Sequence, residues 1–210
     1  INGFIIAKGK LPPFIATLGM MGVARGAALI ITSGVPVFGL PLSFAAIANN
    51  KLFDIIPIPV IIVIIFAIII HFVLNNFSFG RYTYAIGGNF EAARLAGVRV
   101  DLHLIKVYVI SGLFSGLGGI ILASRLSTGQ PTAGSGYELD VIAACVIGGA
   151  SLSGGSGTIT GAMIGALIIG ILRNGCNLLD ISAFWQQVAI GAIIIIAVFM
   201  DQYKKKFKKN

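Results

Sequence analysis

The side chains able to do chemistry in this chain are few, and their spacing restricts what they do. Glu138 and Asp140 stand at the start of an apolar stretch. Ionisable groups at membrane depth are costly and face a cavity, a partner or water. Carboxylates in a first helical turn also favour the helix dipole. Two readings therefore stay open for them: capping at an interface, or a place at the mouth of a pathway. Arg25 lies in the middle of the apolar segment Phe14 to Thr32 and must pair, snorkel or face water, which makes it a pathway or ion-pair candidate. His71 and His103 stand alone, without ligand spacing, and His71 suits the interfacial end of a helix. Cys145 and Cys176 have no CxxC or metal spacing and read as apolar packing. Gly155, Gly157 and Gly161 imitate a phosphate loop but lack the lysine that follows in a P-loop, so a tight turn is expected there. The residues imply no enzyme, no cofactor and no metal site.

The elements that hold these residues are apolar. Hydrophobic residues make up 57% of the 210 and charged residues 10%, with a mean hydropathy of +0.97. Soluble domains carry about 25% charge. The expected fold class is an all-α integral membrane protein, a polytopic helical bundle of about six membrane segments including one short or broken helix, in contact with the lipid bilayer throughout. The expected spans are Phe14 to Thr32, Pro57 to Leu74, Val107 to Leu126, Glu138 to Leu152 (short, after a re-entrant Ser127 to Tyr137), Thr158 to Leu172 and Ile181 to Met200. Pro36 to Ile56 and Asn174 to Asp180 are the expected outer loops. The net charge of +8 does not point to nucleic acid, because five lysines (204, 205, 206, 208 and 209) crowd the end of the chain. A basic tail at 201–210 after a span reads as a cytoplasmic anchor. Threading backwards from it places Lys8, Lys10, Arg81, Arg94, Arg99 and Lys106 inside as well, leaving only Arg25, Lys51, Arg125 and Arg173 elsewhere. Three small-xxx-small pairs, Gly22/Gly26, Gly112/Gly116 and Gly161/Gly165, are expected to let neighbouring backbones approach. The chain opens on Ile1 without a signal-peptide layout and is expected to be a piece of a longer protein.

One polar stretch between two spans carries a helical pattern of its own: GRYTYAIGGNFEAARLAGVR, Gly80 to Arg99. Asn89 is placed to cap a helix from Phe90 to Leu95, Glu91 falls in its first turn, and Gly97 stops it. Ala92, Ala93 and Ala96 give it a small, close-approach surface. Such a helix suits insertion into a groove on a cytoplasmic partner, and the competing reading is a short helix lying on the membrane.

These residues, with LSTGQPTAGSGYELDVIAACVIGGASLSGGSGTITGAMIGALIIGILRNGCNLL downstream and NGFIIAKGKLPPFIATLGMMGVARG near the start, resemble the permease subunit of bacterial ribose-type ABC importers over essentially the whole chain, so that 1–210 reads as a permease domain. The resemblance implies that the motif G-G-N-x-x-A-A-R-L-x-G, within a cytoplasmic loop at 77–106, touches the ATPase. It maps onto Gly87, Gly88, Asn89, Ala92, Ala93, Arg94, Leu95 and Gly97, with Phe90 and Glu91 in its variable positions. It further implies a multi-pass protein of the bacterial inner membrane, with its C-terminus cytoplasmic. A cytoplasmic ABC ATPase that hydrolyses the ATP, an extracytoplasmic sugar-binding protein and a second permease copy forming a homodimer are the implied partners. Members of that family are longer, with further N-terminal helices. The expected function is movement of ribose or a related monosaccharide by alternating access. The nearest rival is a branched-chain amino-acid ABC permease of the same superfamily, against which GYELD and NGxNLL weigh. An ion-coupled secondary transporter would need more intramembrane carboxylates than Glu138 and Asp140, and a membrane-embedded enzyme would need a His, Cys or Asp cluster.

Overall fold

Apolar sequence with no water to satisfy its backbone must close its hydrogen bonds within each segment, and helix is the way to do so in a single span. The computed structural model describes residues 1–207, and among these the structure is helical: α1 Asn2–Gly9, α2 Pro13–Thr32, α3 Leu42–Asn49, α4 Ile58–Asn76, α5 Ser78–Gly88, α6 Phe90–Leu95, α7 Val100–Leu126, α8 Tyr137–Ile147, α9 Ile159–Leu178 and α10 Ala183–Phe207. A two-residue hairpin, β1 Lys51–Leu52 and β2 Ile56–Pro57, is the sole sheet among them. Four helices, α2, α4, α7 and α9, are long and apolar enough to cross a membrane, and the apolar part of α10 at Ala183–Ile196 is shorter. The 11-residue α8 spans about 16 Å, roughly half a bilayer core. No residue of α2 or α4 is buried, and much of their apolar surface is exposed, Ile30 and Ile31 of α2 and Ile65 and Ile68 of α4 among it, as a bilayer requires.

The chain divides into two compact units, Ile1–Phe66 with Gly97–Gly134, and Ala67–Ala96 with Ser135–Asn210. In the first unit, α1 and α3 pack on α7. A Cβ on Gly3 would lie 2.9 Å from the Ile105 backbone, so only glycine permits that approach, and Lys8 pairs with Asp101 at 3.6 Å. At the other end of α7, the fully buried Ser124 accepts a hydrogen bond from Ala48 N–H at 2.9 Å and donates to the Phe44 carbonyl at 2.7 Å. Val37 and Gly129 exchange backbone hydrogen bonds, both 2.9 Å. The C-terminal ends of α2 and α7 are thereby tied together within this unit.

The second unit is built on α8, α9 and α10, whose core is Ala143, Ala144, Ile169 and Ile190. The α8–α9 contact is a backbone contact: a Cβ on Gly165 would overlap the Ala144 carbonyl, and one on Gly161 the Gly148 carbonyl. The Gly161/Gly165 pair packs as expected. Gly22, Gly26, Gly112 and Gly116 meet nothing within 4 Å, so the other two pairs pack against no described residue.

Several boundaries differ from the sequence expectation. Asn174 to Leu178 is not loop but the last turns of α9, since nothing before Asp180 obliges the chain to leave the helix. Gln186 Nε2 donates to Asn177 Oδ1 at 2.8 Å and to the Ile181 carbonyl at 3.0 Å, closing the tight turn into α10. The polar stretch after α4 is helical from Ser78, and α7 begins at Val100 rather than Val107. Ser127 to Gly136 forms turns without a helix. Helix α10 continues through Phe207. The end of the basic tail, Lys208 and Lys209, lies outside the described residues.

Candidate functional site

Asn89 breaks the helix between α5 and α6 by adopting an extended backbone (φ −155°, ψ 105°). Its side chain then caps α6, accepting from Ala92 N–H at 3.0 Å. Glu91 lies in the first turn and Arg94 in the last, each at the pole of the helix that favours its charge. Gly97 follows with φ +83°, a left-handed conformation in which a side chain is strained. The short helix has an inward and an outward side. Ala93 is buried, whereas Leu95 is 87% exposed and Phe90 40%, and Ala92 and Ala96 are exposed. Of the three alanines expected to form a close-approach surface, Ala93 faces inward; the projecting apolar groups are Leu95 and Phe90.

What holds this helix in place was not evident from the local pattern. Gly87 and Gly88, at the end of α5, sit backbone to backbone against Gly154 and Gly155 in the turn before α9. A Cβ on Gly87 would overlap the Gly155 nitrogen, and one on Gly155 would come within 2.8 Å of the Gly88 Cα. Tyr84 O–H donates to the Gly157 carbonyl at 2.8 Å. The glycine-rich turn is a tight turn, as expected, and also the seat of α5. The paired Gly-Gly dipeptides at 87–88 and 154–155 are the signal that a sequence offers for such an approach.

The membrane charges fall in different places. Arg25 lies within α2 of the first unit, half-buried. Glu138 is exposed and accepts from Gly136 N–H at 2.9 Å, immediately before α8. Asp140 is joined to Arg173 of α9, whose Nη2 lies 2.9 Å from one carboxylate oxygen and 2.7 Å from the other. Arg173 was not among the candidates; opposite charges on two successive apolar helices were its signal. No group of three metal-ligating side chains occurs among the described residues, and both cysteines are free thiols.

Four lipid-length apolar helices and a short capped polar helix define a polytopic helical membrane protein. The chain belongs to the family described as branched-chain amino acid transport system / permease component, which matches residues 1–198. It is 49% identical over 204 residues to the ribose import permease protein of Bacillus subtilis (strain 168), covering 97% of this chain and 63% of that protein. It is 48% identical over 210 residues to the L-arabinose transport system permease protein of Escherichia coli (strain K12), covering 100% of this chain and 64% of the other. The D-allose transport system permease protein of the same organism is 39% identical over 206 residues, covering 98% and 63%. The chain thus spans a little under two thirds of the length of these relatives. No solved structure gives a significant match.

Proposed function

We propose that this chain is part of the permease subunit of an ATP-driven importer that carries ribose or a related monosaccharide across the bacterial inner membrane by alternating access. The observation that carries the reading is α6: a capped, dipole-matched helix presenting Leu95 and Phe90 outward from a close-packed glycine seat. The names of the three sugar permeases favour a monosaccharide over a branched-chain amino acid. In this reading residues 77–106 face the cytoplasm and receive a separate ATPase, which does the hydrolysis. A sugar-binding protein delivers the solute from the other side, and a second permease copy completes the pathway. Arg25, Glu138 and Asp140 are pathway residues, and the basic tail at 201–210 anchors the C-terminus inside. ATPase closure pushes on α6, and the seat at Gly154 and Gly155 passes the push to α9.

The test is reconstitution of the full-length permease with its ATPase and binding protein. Replacing Asn89 to Gly97 should abolish co-purification of the ATPase, and Gly97→Val, strained by about 1–2 kcal/mol at its positive φ, should uncouple ATP hydrolysis from uptake while leaving the protein in the membrane. Normal coupled uptake by Gly97→Val would falsify the assignment of α6.

A further inference from the structure

An open cavity of about 250 Å³ lies on the surface of the second unit, against α8 and α9. It is smaller than the roughly 300 Å³ at which pockets for drug-sized molecules begin, and so suits a smaller solute. Its space exists because the residues at its walls are small, among them Ala144 and Gly170; a Cβ added to Gly170 meets nothing within 4 Å. Ile169 contributes an apolar wall. The polar groups on it are three: the Tyr137 phenol, the Asp140 carboxylate and the Arg173 guanidinium.

We propose that this cavity is a solute site for a neutral polyol of monosaccharide size, bound between the Asp140–Arg173 pair and the apolar wall. The proposal rests on the monosaccharide reading above and adds the site and its residues. Arg173 reaches both oxygens of Asp140 through Nη2, and its side chain as a whole stays about one third exposed (35%). A guanidinium has five N–H donors and a carboxylate about four lone-pair positions, so the pair leaves both donors and acceptors to spare. A hydroxyl group both donates and accepts. Adjacent hydroxyls can therefore give to Asp140 and take from Arg173 without separating the two. A zwitterionic amino acid would have to split an ion pair closed at 2.7 Å to satisfy its own charges. A free anion or cation would meet a site whose charges already cancel. The C–H face of a sugar has the Ile169 side of the cavity to lie on.

The experiment uses the full-length permease assembled with its ATPase and binding protein in vesicles. Gly170→Cys is introduced with Cys145→Ala and Cys176→Ala, and the rate of maleimide alkylation of the G170C thiol is measured with D-ribose, L-arabinose or L-leucine in excess. The expected result is a severalfold slowing by a transported sugar, none by leucine, and loss of the protection in Arg173→Met. Protection is read first with Arg173 intact, so the result does not depend on whether the Arg173→Met protein folds. Full-rate alkylation in the presence of a sugar that the assembly takes up overturns the site, and so does protection by leucine instead of sugar. If the wild-type assembly takes up no sugar at all, the transport reading itself fails and the site with it.

Discussion

At the scale of single residues, the cap and the stop on either side of α6 define the helix. A six-residue helix is too short to hold itself in water, so its ends and its seat must supply the order. Asn89→Ala removes the acceptor for Ala92 N–H and should cost about 0.5–2 kcal/mol locally. Hydrogen exchange should then show faster exchange of the amides of 92–95, with α7 unchanged, and unchanged exchange would mean that the Gly87–Gly155 seat alone keeps the helix. The hydroxyls within the apolar helices follow the same logic of local satisfaction. Thr17 and Thr32 donate to the carbonyls four residues back, both at 2.9 Å, since a bilayer offers no water to take their place.

Between elements, the glycines separate into those that are pressed and those that are not. The Gly165 face of α9 touches the Ala144 carbonyl directly, whereas the Gly112 face of α7 is open. Gly165→Leu must push α8 from α9 and open the core at Ala143, Ala144 and Ile169. Overpacking of this kind costs typically 1–3 kcal/mol, occasionally more. The expectation is a clear fall in thermal stability of the purified protein for Gly165→Leu and little change for Gly112→Leu, measured in detergent before any partner is added. Equal losses would show that the Gly112 face is also pressed. The short α8 needs α9 for this reason: at 11 residues it cannot cross a bilayer alone.

For the whole molecule, the question is sidedness. Positive charge collects at one side in the threading above, and the proposal places α6 in the cytoplasm. In the proposed topology Leu95→Cys and Leu42→Cys lie on opposite sides, and both positions are exposed enough to label (87% and 90%). In sealed, right-side-out vesicles, a membrane-impermeant maleimide should label Leu42→Cys at once and Leu95→Cys only after the membrane is opened. The reverse order would invert the topology and remove α6 from reach of any cytoplasmic ATPase.

The sequence by itself determined what is local. Unbroken apolar runs required spanning helices, because lipid leaves the backbone no other partner. The Asn-x-x-Ala spacing with a following glycine defined α6 to the residue, because caps and stops act within one turn. Only the tertiary structure decided what depends on residues far apart in the chain. It placed Gly87 on Gly155 and Asp140 on Arg173. It also latched α3 to α7 through Ser124, and showed which glycine pair of three is in contact. Small residues and lone charges carry no periodicity that names their partners. Their effect arises when another backbone or an opposite charge is brought within a few ångströms, and that distance is a property of the packed chain.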